Sequence, residues 1–166
     1  MLTTSPLPDH PAPVVVAILL APRAKAPMQR VASVEAEAER GLVGDRYHAG
    51  LGAMSRWPGP AREVTLVSEE ALAEASAAYG ASVTPEIARR NVVVRGADLD
   101  ALVKRRFRIG GAVFEGVQRC LPCAYLERVN EAPGLLRALV GRGGLRARVV
   151  ESGALRVGDV LVIEGG

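Results

Sequence analysis

The chain has 166 residues, 49% of them apolar and 23% charged, with a formal net charge of +3. This composition excludes a disordered or collagen-like chain, and the length suits one domain that buries about 70% of its unfolded surface without a structural disulfide or metal. The longest apolar run, Val14 to Ala21, falls well short of the roughly 20 residues of a membrane-crossing helix.

Residues Met1 to Pro13 contain four prolines and read as a flexible arm, followed by a single domain from Val14 to Gly166. The start lacks the basic and long apolar segments of a secretory signal, so a cytoplasmic protein without membrane contact is expected. Val14 to Leu20 is continuous, β-branched and apolar, as in a strand buried on both faces. A proline-bearing loop over 21–30 leads to Val31–Glu37, whose alternation predicts a half-buried strand. Gly41 to His48 opens a long glycine- and proline-rich loop reaching Pro60.

Glu63–Val67 reads as a strand. Ser68 then caps a helix over Glu69–Tyr79, which has an acidic first turn and ends at Gly80. Thr84-Pro85-Glu86 repeats the start signal for a short turn reaching Arg90. Asn91–Arg95 and Ala112–Val117 read as strands, Cys120-Leu-Pro-Cys123 precedes two short helices ending near Asn130 and Val140, and Leu145–Glu151 and Val160–Glu164 close the chain as strands around a turn at Ser152-Gly153. Many short strands separated by turns, with few helices, predict a mainly β, barrel-like fold.

Four features carry candidate chemistry. Cys120-Leu-Pro-Cys123 fits a redox dithiol, half of a zinc site, or a single reactive thiolate at Cys123 serving as soft-metal ligand, nucleophile or sulfur carrier. The blander reading is two buried small side chains. A thioredoxin-like site is disfavoured by the long β-rich stretch before the motif, and a zinc site would have to recruit both histidines, His10 and His48. Arg89-Arg90-Asn91 suits phosphate or carboxylate binding, against the plainer role of complementing a helix C-terminus. Asp45-Arg46 sits on a glycine-bounded loop, either as ligand contacts or as a surface ion pair. Lys104–Arg108 is basic, but such runs are mostly solvated faces or hairpin tips. No phosphate-binding glycine loop, iron–sulfur cysteine set or Gly-x-Ser-x-Gly turn is present.

In order, Gly41-Leu-Val-Gly-Asp-Arg-Tyr47, Arg89-Arg-Asn-Val-Val-Val-Arg-Gly96, Phe107-Arg-Ile-Gly110, Pro122-Cys123 and Val157-Gly-Asp-Val160 resemble the MOSC family (molybdenum cofactor sulfurase C-terminal domain). The resemblance spans roughly Pro13 to Glu164. It implies a β-barrel-like domain binding the molybdenum cofactor (molybdopterin), with Cys123 as metal ligand or sulfur carrier and Arg46, Arg89, Arg90 and Asn91 on the cofactor's phosphate or pterin. It places Asp45 near the metal or in support of its neighbours, and assigns no role to Cys120. Related stand-alone members reduce N-hydroxylated compounds, so the resemblance implies an oxidoreductase with a small-molecule substrate and an external electron-donor protein. The alternatives are a non-catalytic carrier serving a cofactor-acceptor enzyme, and a nucleic-acid-binding barrel using Lys104–Arg108 and Arg142–Arg148. The scarcity of aromatics argues against nucleic acid.

Overall fold

A computed structural model describes residues 11–165; most of the proline-rich N-terminal segment, His10 included, lies outside the described residues. The chain order is β1 (Val14–Leu20), β2 (Gln29–Val31), β3 (Ser33–Glu37), β4 (Gly41–Leu42), β5 (Val64–Ser68), α1 (Glu69–Tyr79), α2 (Pro85–Ala88), β6 (Val92–Arg95), β7 (Arg106–Ile109), β8 (Ala112–Arg119), α3 (Ala124–Asn130), α4 (Leu135–Leu139), β9 (Leu145–Glu151), β10 (Gly153–Arg156) and β11 (Leu161–Ile163). Eight strands form one sheet in the order β11-β7-β8-β9-β5-β6-β1-β2, and β10-β3-β4 form a second. Among the described residues, no helix is long and apolar enough to cross a membrane.

The large sheet coils back on itself. Val14, opening β1, bridges Val160 just before β11, and the Leu161 amide donates to the Pro13 carbonyl at 2.8 Å. The result is barrel-like, although the strand ladder does not close. Val15, Ile18, Leu66, Val92, Phe107, Phe114 and Val149 fill the inside, joined by Val34, Leu42 and Leu155 of the small sheet. Phe107 and Phe114 stack across β7 and β8 with ring centroids 5.6 Å apart.

A second core lies on the outer face, where Ala17, Leu19, Val67 and Val93 meet Leu72 of α1, Leu126 of α3 and Leu135 and Leu139 of α4. Strands β1, β5 and β6 are thus covered on both sides, which is why they read as unbroken apolar runs rather than alternating ones. β5 and β6 are the one parallel pair among the named strands, and α1 with α2 supplies the crossover that parallel neighbours require. Both helix starts follow the sequence signals: Ser68 accepts from Ala71 N–H at 3.0 Å and Thr84 from Ile87 N–H at 3.3 Å.

Three expectations change. The strand predicted over Val31–Glu37 is divided at Ala32 into β2 and β3, which pair in different sheets. The basic run ending at Arg108 is neither a tip nor a wholly solvated face: β7 buries Phe107 and Ile109 and turns Arg106 and Arg108 outward. Gly153 does not end a turn but begins β10, which pairs with β3.

Candidate functional site

The crossover brings the end of α2 to one end of the sheet. There it meets the 43–62 loop, the connection from β8 to α3, and the start of β9. Between them lies a cleft of about 340 Å³ lined by Arg46, Tyr47, Ala53, Met54, Thr65, Arg89, Arg90, Leu121, Cys123, Tyr125, Leu126, Arg128 and Arg146. Five of these are arginines, and none is an acid or a histidine.

Each inner arginine is fixed by contacts that leave part of its guanidinium uncommitted. Arg46, 7% exposed, donates from Nη1 to Asp45 Oδ1 at 3.1 Å and lies 5.0 Å from the Tyr47 ring centroid. Arg89 ends α2 in the left-handed conformation (φ 54°, ψ 44°), which costs a non-glycine residue about 1–2 kcal/mol. Its Nη1 donates to the Ala26 carbonyl at 2.7 Å. Burial, and then the neighbouring Arg46 guanidinium, depress Arg89 from the ordinary arginine range. Arg90 donates from Nε to Gly143 O at 2.8 Å and from Nη1 to Ala88 O at 2.9 Å. Gly143 is itself packed against the chain before α3, where a Cβ would strike the Cys120 carbonyl.

Among the described residues, three buried side-chain polar atoms lack a hydrogen-bond partner: Arg89 Nη2, Arg90 Nη2 and the Tyr125 hydroxyl. All three belong to residues of this cleft. An unpaired buried donor costs about 1–3 kcal/mol, so three together, two of them cationic, mark a place built for an anionic or acceptor-rich guest.

The two cysteines part company. Cys120 is buried, whereas Cys123 is exposed on the cleft just before α3, and both are free thiols. Among the described residues there is no group of three or more His, Cys, Asp or Glu side chains able to hold a metal ion. A soft metal arriving with its own sulfur ligands would need only one thiolate from the protein, and Cys123 is the accessible one.

Two sequence candidates stand behind the cleft instead of lining it. Asp45 is fully buried, and its carboxylate accepts from Ala21 N–H at 3.1 Å, Tyr47 N–H at 3.3 Å and Arg46. Asn91, 1% exposed, accepts through Oδ1 from Thr65 N–H and Oγ1–H at 3.1 and 3.2 Å, and donates to Leu19 O at 3.1 Å. Its carboxamide ties β1, β5 and β6 together. The structure therefore brings Arg46, Arg89, Arg90 and Cys123 to one surface, with Asp45 and Asn91 as its supports. Sequence reasoning did not single out Tyr125 or Arg128. They lie two and five residues beyond Cys123, and only the folding of α3 against the cleft brings both into its lining.

The sequence profile of the MOSC domain matches residues 45–162, more than two-thirds of the chain and all of the cleft-forming segments. The chain belongs to the MOSC domain family. That family is associated with binding of the molybdenum cofactor. Solved structures agree on the fold of this MOSC domain. The YuaD protein of Bacillus subtilis superposes with a TM-score of 0.77 at 22% identity, covering 93% of this chain and 97% of that one. YiiM from Geobacillus stearothermophilus gives 0.70 at 18%, covering 92% and 75%. YiiM from Escherichia coli gives 0.67 at 15%, covering 92% and 70%. No curated protein matches the sequence.

Proposed function

We propose that this MOSC domain binds the molybdenum cofactor in the arginine-lined cleft and there reduces N-hydroxylated compounds with electrons from a separate donor protein. The observation that carries the reading is the convergence of five arginines, no carboxylate and three orphaned buried polar atoms beside one exposed thiol. The cofactor is a pterin dithiolene bearing a phosphate, so the donor set fits its charge. Arg89 and Arg90 would hold the phosphate through their free Nη2 groups, as planar guanidiniums hold tetrahedral oxyanions. Arg46, steadied by Asp45, would add charge at the cleft wall. Cys123 would ligate the metal as thiolate.

When bound, molybdenum supplies two-electron chemistry that cleaves the N–O bond, consuming two protons and two electrons and leaving N–H and water. The chain's share is to bind, orient and wall off. Tyr47 and Tyr125 border the cleft with aromatic surface against which a planar substrate can lie. With no acid or histidine in the lining, the protons come through the two phenols or from water at the open mouth.

The second reading, a carrier that hands the cofactor or its sulfur to another enzyme, draws on the exposure of Cys123 and on this lack of a general acid. Nucleic-acid binding is weaker: Arg106 and Arg108 of the basic run, and Arg142 and Arg148 of the second set, are each paired with a glutamate.

The test is molybdenum content after expression in a host that makes the cofactor, for the parent and for Cys123→Ser, followed by turnover of benzamidoxime with a chemical reductant. Near-stoichiometric molybdenum that is lost in the variant, with turnover in the parent, supports reduction. Molybdenum without turnover transfers the assignment to the carrier, and absence of molybdenum from the parent refutes both.

A further inference from the structure

The cleft does not end at Tyr125. Tyr125 and Arg128 also line a second hollow of about 440 Å³, completed by Lys25 and Val129. Its two cations come from distant parts of the chain, Lys25 from the loop after β1 and Arg128 from α3. Among the described residues neither forms an ion pair. No carboxylate lines the hollow.

Lys25 is held in place, not merely present. It sits at φ 65°, a left-handed conformation that a β-carbon resists. The loop on either side is pinned, since Ala24 N–H donates to Leu51 O at 2.8 Å and Arg89 Nη1 donates to Ala26 O at 2.7 Å. The same arginine that borders the main cleft thus anchors the loop presenting Lys25 to the annex. The boundary between the two spaces is Tyr125, whose hydroxyl is buried without a partner.

Resting on the function proposed above, we infer that the annex lined by Lys25, Tyr125 and Arg128 is a subsite for a negatively charged group of the substrate, so that the preferred N-hydroxylated compounds carry a carboxylate or phosphate. The buried pair Arg89 and Arg90 already matches the cofactor's single phosphate. Lys25 and Arg128 are both exposed, open to a charged group arriving from solvent. An anionic tail placed there sets the planar head against Tyr125 and directs it into the cleft.

The experiment compares benzamidoxime with 4-carboxybenzamidoxime, by calorimetric binding without reductant and by KM, on cofactor-loaded protein at low salt. The variants are Lys25→Gln, Arg128→Gln and the double substitution, with Arg137→Gln on the exposed side of α4 as control. A charge-assisted contact of this kind gives the carboxylated compound about a tenfold advantage. The advantage, taken as the ratio of the two compounds on the same variant, shrinks as salt is added, disappears in the double variant and survives in the control, while the neutral compound is unaffected in Lys25→Gln and in the control. Equal binding of the two compounds by the parent, no binding of the carboxylated one, or a preference that persists in the double variant overturns the inference. So does finding two phosphates per molybdenum, which would give the annex to a nucleotide on the cofactor. If the preference holds but neither compound is turned over, the subsite stands and the proposed reduction falls.

Discussion

Replacing Asn91 with alanine separates a scaffold role from a ligand role. The side chain makes three buried hydrogen bonds at 3.1 to 3.2 Å, to Thr65 twice and to Leu19 once. At about 1 kcal/mol each, their loss amounts to about 3 kcal/mol. For a domain of this size, 1 kcal/mol corresponds to about 2–4 °C in Tm, so Asn91→Ala should melt about 6–12 °C below the parent. Because the carboxamide points into the sheet and Asn91 does not line the cleft, phosphate affinity measured well below the melting range should stay within about twofold, less than a single hydrogen bond is worth. The assay is thermal unfolding followed by circular dichroism, with phosphate titrated at low temperature. A variant that melts within about 2 °C of the parent, under 1 kcal/mol on the same scale, yet fails to bind phosphate would refute this placement and make Asn91 a ligand.

Asp45→Ala removes the acceptor of a buried ion pair and leaves Arg46 unneutralised, a change that costs about 3–5 kcal/mol; urea unfolding measures it, and a loss below about 1 kcal/mol would mean the pair is not buried in solution. Glu63 supplies a pH test. Burial raises its carboxyl above the usual range, against the opposing bond from Val149 N–H. The folded state therefore holds the proton more tightly than the unfolded state, and stability falls as pH rises from the ordinary carboxylate value through the raised one. The melting temperature of the parent relative to Glu63→Gln should rise on acidification through that window. This is opposite to the contribution of Glu86, which Arg30 holds below the ordinary value and whose contribution is lost as pH falls. A parent-minus-variant difference that is flat or falls on acidification would contradict the assignment.

Much of the scaffold was legible because local chemistry and burial agree there. Val14–Leu20 is apolar throughout because both faces of β1 are covered, and Ser68 and Thr84 announce their helices by capping them. Strand β7 was hidden by its own charges. Arg106-Phe-Arg-Ile109 alternates as a strand should, yet its two arginines invite a reading as part of a solvated run until Phe107 is seen stacked on Phe114. Of the residues around the cleft and its annex, Arg46, Arg89, Arg90 and Cys123 lie in short motifs that stand out in the sequence, whereas Tyr125, Arg128 and Lys25 belong to no local pattern.

The sequence by itself determined the apolar strands, the capped starts of the first two helices and an abundance of arginine, since propensity, capping and hydrophobic period act over a few residues. Which arginines are neutralised was decided only by the tertiary structure. Arg108 reaches Glu151 and Glu164 across neighbouring strands, while Arg89, Arg90, Arg128 and Arg146 face a cleft without a single carboxylate. Charge pairing depends on distances of a few ångströms between residues far apart along the chain, and only the folded sheet, with its one helical crossover, sets those distances.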